Sequence, residues 1–245
     1  MPPRSSTAKI AYVALAAADT YLAGQGTKRA KRLRYLTKPL LMPALATAFA
    51  SSTTGRRDVL RQSALGAQAF SWGGDLALMG GSERSFLGGV GSFFAAHVAY
   101  IAGFASAGSF SSASASDSAG LNSAGSDSAG LNSAGLKTAA AMWVATAPVM
   151  TIAAGRKDPA LRVPIAAYGT VLAAMYAAST MLDQDLPLNA RRKVMLGTSL
   201  FLASDTVLGL RKFLLDDHSP ALESVVMATY SAGQWFIADG VASAR

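Results

Sequence analysis

Eight apolar blocks follow one another along this chain, each long enough to cross a lipid bilayer as a helix. A hydrocarbon core of about 30 Å needs about 20 apolar residues at 1.5 Å rise each. Blocks at roughly 8–24, 36–52, 60–80, 86–106, 137–155, 160–182, 193–214 and 220–240 meet that length. Charged residues, 15% of the chain, sit mostly between the blocks, whereas a soluble protein carries roughly 25% and spreads them over every helix surface. The fold expected is therefore all-α: a polytopic integral membrane bundle of about eight transmembrane helices. It forms one domain over residues 1–245 and sits in the cell membrane as a multi-pass protein. Arg4 and Lys9 followed by the apolar run from Ile10 resemble a signal peptide. The run continues through Leu22 and seven more blocks follow, so a retained first helix is the reading.

The connectors are short and basic, with one exception. Residues 107–136 are rich in Ser, Ala and Gly and carry a perfect tandem duplication, SDSAGLNSAG at 116–125 and again at 126–135. Such a composition buries too little to fold alone, and a flexible extramembrane loop is expected there. The net charge is +8, but the basic residues cluster in connectors, as at Lys28, Arg29, Lys31, Arg32 and Arg34. Contact with anionic lipid headgroups explains them, and no base-reading module points to nucleic acid. Orientation is open. With the N-terminus on face A, ten basic residues fall on A and twelve on B, a split too even for the positive-inside rule. There are no cysteines and two histidines, which leaves no Cys- or His-rich metal site; neither a metal nor a cofactor is expected.

An ionisable side chain at membrane depth costs at least about 2.5–3.5 kcal/mol and needs a reason. At about 1.5 Å per residue, Asp75 lies about 22 Å from face A and Asp205 about 18 Å. His97, Tyr230 and Asp19 lie near the midplane. Lys38 falls at the face-B mouth of its helix, and Asp239 close to face A as a helix-end residue. Expensive groups from five or six helices thus share one layer between the midplane and face B, as a shared cavity open to B would produce. Asp75 and Asp205 are the candidate catalytic pair. Lys38, His97, Tyr100, Ser204, Tyr230 and Gln234 are candidate binding or orienting groups. Phe70 before Asp75 and Phe201 before Asp205, each followed by a helix carrying polar residues at similar depth, suggest a four-plus-four pseudo-repeat.

The same residues lie in stretches that resemble the YhhN family of eight-span membrane proteins. These are KPLLMP at 38–43, GGDLAL at 73–78, FLGGVGSFFAAHVAYIAGF at 86–104, the Tyr168–Tyr176 region, GTSLFLASDTVLGL at 197–210 and TYSAGQWFI at 229–237. The long duplicated loop departs from the compact family pattern.

The resemblance implies a lysoplasmalogenase. Such an enzyme hydrolyses the vinyl ether bond of lysoplasmenylcholine or lysoplasmenylethanolamine to a fatty aldehyde and a glycerophospho-alcohol, with a lysophospholipid as partner inside the bilayer. Two carboxyls suit that chemistry. One protonated group delivers a proton to carbon, and the other, ionised, stabilises the oxocarbenium ion and takes a proton from water. Lys38 would meet the phosphate. Two other classes compete. Intramembrane Asp, His and Lys also build proton-coupled transporters, and a lipid-binding or scaffold protein would need no catalysis but leaves the shared depth unexplained.

Overall fold

The computed structural model describes residues 3–108, 126–215 and 219–244. Among the described residues there are eight α-helices: α1 (Pro3–Gln25), α2 (Lys28–Ser52), α3 (Val59–Leu78), α4 (Glu83–Ser106), α5 (Ser126–Lys157), α6 (Arg162–Thr180), α7 (Leu188–Gly209) and α8 (Pro220–Ser243). A 3-10 turn, Pro159–Leu161, leads into α6, and α7 runs on as a π-helical turn, Leu210–Leu215. Among the described residues four segments are long and apolar enough to cross a membrane: Glu83–Ser106, Gly135–Lys157, Pro159–Thr180 and Leu188–Leu215.

Helix starts follow from local chemistry. The first backbone N–H groups of a helix have no partner within it, and a short polar side chain supplies one. Thr27 accepts from the Ala30 N–H at 3.1 Å, Asp58 from Arg61 at 2.9 Å and Ser82 from Ser85 at 3.1 Å. The tight turn from α1 into α2 needs Gly26, whose φ of 62° lies in the left-handed region that costs a side chain most.

Contacts at the two ends of the bundle show that neighbouring helices run up and down. At one end Asp239, near the close of α8, pairs with Lys9 of α1 at 3.1 Å and Lys193 of α7 at 2.7 Å. There too Arg56, after α2, donates to the Val241 carbonyl at 2.9 Å. At the other end Phe86 of α4 meets Phe213 of the π turn, and Lys157 of α5 donates to the Lys212 carbonyl at 2.6 Å.

Two helix pairs approach closely because glycines face the contact. A Cβ on Gly74 of α3 would lie 2.5 Å from the Phe93 ring of α4. One on Gly197 of α7 would lie 2.6 Å from the Ile237 nitrogen and 2.7 Å from the Gly233 oxygen of α8. Small residues here let backbone meet backbone. Apolar side chains cover the outside as well as filling the core: Val163 is 77% exposed and Ile10 69%, while a few polar residues, Asp19, Asp75, His97 and Gln68 among them, are buried.

Two expectations change. The basic run Lys28–Arg34 is not a connector but the opening of α2, which Thr27 caps and which Lys and Arg favour by propensity. Lys38 therefore sits about 15 Å along its helix, at 1.5 Å per residue, instead of at its mouth. The loop expected at 107–136 is shorter at its far end, since the helix of the fifth block starts at Ser126 and includes the second copy of the duplication. Once the apolar stretch has nucleated the helix, backward extension needs no new nucleus and proceeds despite Gly130 and Gly135. The first copy, 116–125, lies outside the described residues.

Candidate active site

Proline chemistry helps place the first cation. Pro43 has no N–H, so the Pro39 carbonyl one turn earlier loses its helical donor. The Trp72 indole of α3 donates to that carbonyl at 2.9 Å. This bond fastens α2 to α3 one residue from Lys38 and three from Asp75. Across the seam the Lys38 Nζ lies 3.6 Å from Asp75 Oδ1. On the other carboxylate oxygen, Tyr230 of α8 donates to Oδ2 at 2.7 Å. Asp75 is thus held by α2, α3 and α8 together, and its side chain is 3% exposed.

Asp205 has a matching arrangement built from the other helices. Tyr168 of α6 donates a very short hydrogen bond to Asp205 Oδ2. His97 of α4 lies 3.1 Å from the Tyr168 oxygen through Nε2, and 3.8 Å from Asp205 Oδ2. Each carboxyl therefore has one tyrosine O–H and one nitrogen-bearing side chain. The Asp205 side chain is the more open of the two, at 12%.

A wall of rings stands between the clusters. Phe201 packs edge-on against His97 at 4.9 Å and Tyr230 at 5.4 Å, and Phe93 closes on Tyr230 at 5.9 Å. No single side chain among the described residues bonds both carboxyls. Asp75 and Asp205 are two neighbouring polar centres across an aromatic partition, each with its own donor.

The remaining predicted residues divide. Tyr100 donates to Gln234 Oε1 at 2.8 Å, and Gln234 Nε2 donates to Ser71 at 2.9 Å, one turn from Asp75 on α3. They brace the cluster without touching a carboxyl. Ser204 donates to the Val226 carbonyl at 3.0 Å, which ties α7 to α8. Asp19 belongs to a separate ion network. It faces Arg34 at 3.3 Å and Thr37 at 2.6 Å, and Arg34 goes on to Glu223 at 2.9 Å. Arg211 reaches the same Glu223 at 2.5 Å. Asp239 is the helix-end residue expected. Ser71 and Tyr168 were missed as site residues. Tyr168 lies about eight residues into its apolar block, at a height similar to that of His97, and its block carries no charged residue at that height to draw attention to it. Among the described residues no cluster of His, Cys, Asp and Glu has metal-binding geometry.

Compared with family models, the chain matches that of the YhhN family over residues 33–241. The chain belongs to the YhhN family. The matched region contains both carboxyls, both tyrosine donors, Lys38 and His97, and leaves out all of α1 and the start of α2. Comparison with curated proteins and with solved structures found no match. The matched region of this YhhN protein thus carries the whole candidate site, set among apolar core residues such as Phe93, Phe201 and Met175.

Proposed function

We propose that this YhhN protein is a membrane-embedded lysoplasmalogenase that crosses the bilayer about eight times as a multi-pass protein of the cell membrane. What carries the reading is the pair of carboxyls, Asp75 and Asp205, each engaged by a tyrosine O–H within a polar interior enclosed by apolar helices. A vinyl ether, R–CH=CH–O–R′, is hydrolysed by adding a proton to the carbon remote from oxygen, which leaves an oxocarbenium ion. Water adds to that ion, loses a proton, and the hemiacetal collapses to the aldehyde R–CH2–CHO and the alcohol HO–R′. A carboxylic acid supplies the first proton and a carboxylate stabilises the cation. A low-dielectric interior strengthens both effects. Lys38, paired with Asp75 and rooted in the helix that begins with Lys28–Arg34, is the nearest cation for the glycerophosphate. The outward-facing apolar surfaces accommodate the alkenyl chain and the lipid around it.

The test is aldehyde release by the purified protein from lysoplasmenylcholine and lysoplasmenylethanolamine. Asp75→Asn and Asp205→Asn should each lose activity by roughly two orders of magnitude or more, the usual weight of a general acid or base, while melting near wild type. No aldehyde from either lipid sinks the hydrolase reading, and full activity in both variants removes these residues from the site.

A further inference from the structure

The histidine of the Asp205 cluster has an unused nitrogen. His97 is fully buried, and its Nδ1 has no hydrogen-bond partner. A buried polar atom in that condition costs about 1–3 kcal/mol and marks either strain or function. The ring is not free to look elsewhere, because Phe201 packs edge-on against it at 4.9 Å and Tyr168 lies 5.3 Å away. The other nitrogen is committed. Tyr168 gives its only proton to Asp205 Oδ2, so its oxygen can only accept from His97 Nε2–H. That network assigns Nε2 as the protonated nitrogen and leaves Nδ1 with a bare lone pair.

We propose that His97, Tyr168 and Asp205 form a proton relay which carries a proton from Nδ1 of His97 to the carboxyl of Asp205. A proton bonds to Nδ1. The Nε2–H bond breaks, and its proton bonds to the Tyr168 oxygen. The original Tyr168 proton bonds to Asp205 Oδ2. At the end His97 is neutral again, protonated on Nδ1, Tyr168 is a neutral phenol throughout, and Asp205 has become a neutral acid. One proton has entered and no electron has moved. The route runs through Tyr168 because its oxygen lies 3.1 Å from Nε2, whereas the direct distance to Asp205 is 3.8 Å and too long for a hydrogen bond.

The relay divides the labour between the carboxyls, and this part rests on the hydrolase reading. In the proton-loaded state the relay first runs backwards: the Nδ1 proton goes to the vinyl carbon, the Tyr168 proton passes to Nε2, the Asp205 proton passes to the Tyr168 oxygen, and Asp205 becomes a carboxylate. The water that captures the oxocarbenium ion releases its proton to Nδ1, and the relay returns that proton to Asp205. One carboxyl is thus discharged and recharged in each turnover, and His97 returns to the tautomer from which it started. Asp75, with Lys38 as counter-ion, stays ionised opposite the cation. Tyr168 is a positioning and conducting residue in this scheme, and His97 is the group that meets the water.

Tyr168→Phe cuts the relay while leaving both ends in place. Kinetics with lysoplasmenylcholine in mixtures of light and heavy water should show a curved proton inventory for wild type. For Tyr168→Phe the inventory becomes linear, kcat falls roughly 100-fold and KM stays within about twofold, in line with loss of proton transfer. His97→Gln, which removes the entry atom, should give the same split and serves if the phenylalanine variant does not fold. In parallel, 15N-histidine NMR should find His97 as the Nε2–H tautomer in wild type and a tautomer mixture in Tyr168→Phe. A folded Tyr168→Phe that keeps half or more of wild-type kcat, or an unchanged proton inventory, overturns the relay. If wild type releases no aldehyde the hydrolase reading has failed. The NMR then decides the relay alone, since unchanged His97 tautomer signals in Tyr168→Phe overturn it and a lost preference for Nε2–H supports it.

Discussion

Arg34 holds three helices together through two acids, and replacing it tests how that network is balanced. Its Nη2 lies 3.3 Å from Asp19 Oδ2, its Nε 3.3 Å from Oδ1, and its Nη1 2.9 Å from Glu223. Asp19 has no solvent exposure. In Arg34→Leu that carboxylate keeps only the Thr37 hydroxyl at 2.6 Å. Removing one partner of a buried ion pair costs about 3–5 kcal/mol, because the other charge stays behind uncompensated. Glu223 suffers less, since Arg211 remains at 2.5 Å. At about 2–4 °C per kcal/mol for a chain of this size, Arg34→Leu should melt roughly 6–20 °C below wild type. Adding Asp19→Asn removes the stranded charge and still leaves an acceptor for Thr37, so the double variant should recover most of the loss. Thermal unfolding followed by tryptophan fluorescence in detergent micelles reads all three proteins. A single variant that melts within about 2 °C of wild type, or a double variant no more stable than the single, refutes the argument that Asp19 depends on Arg34.

Two further outcomes follow from the packing and the caps. Gly197→Ala places a methyl group against backbone atoms of α8 that no side-chain rotation relieves. It should cost about 1–3 kcal/mol, measured in the same melts, with Gly66→Ala, where nothing lies within 4 Å, as the harmless control. Asp58, the cap of α3 outside the helices, has its carboxyl held below the usual carboxylate range chiefly by the Arg56 guanidinium at 2.8 Å, with the Arg61 N–H also donating. A depressed folded value means its charged contribution is complete above the ordinary value of 3.8 and is lost as pH falls through the folded one. The melting gap between wild type and Asp58→Ala should therefore narrow below about pH 4 and stay constant from about pH 5 to 7; a gap that widens on acidification would reverse the sign.

Relative height was the most readable property of the candidate site. Counting residues from the ends of apolar blocks put Asp75, Asp205, His97 and Tyr230 in one layer, and the structure brings them into two adjoining clusters, because a helix converts residue number into height with little error. Azimuth around each helix was not readable in the same way. Asp19 has suitable depth but bonds Arg34 and Thr37 and neither of the two carboxyl clusters, and Ser204 turns to a backbone carbonyl. Which face of an apolar helix looks inward is set by packing against neighbours, and in blocks apolar all round the pattern carries little sign of it. Helix ends also escaped, for a different reason. Lys28–Arg34 reads as a connector by charge, yet a capped helix continues past the apolar layer wherever propensity allows. The partition by Phe201 and Phe93 depends on ring positions in three dimensions, and sequence spacing contains no hint of it.

The bond from the Trp72 indole to the Pro39 carbonyl has a bearing on motion. Prolines 39 and 43 weaken the hydrogen-bond ladder of α2 over the turn that carries Lys38, which makes that turn the natural joint of the helix. Trp72 occupies the carbonyl that the joint leaves bare. While it does so, Lys38 and Asp75 move as one body. Any hinge movement that carried Lys38 away from Asp75, for instance to admit a bulky headgroup, would first have to release the indole. A tryptophan at the edge of α3 thereby acts as a latch on a joint in its neighbour.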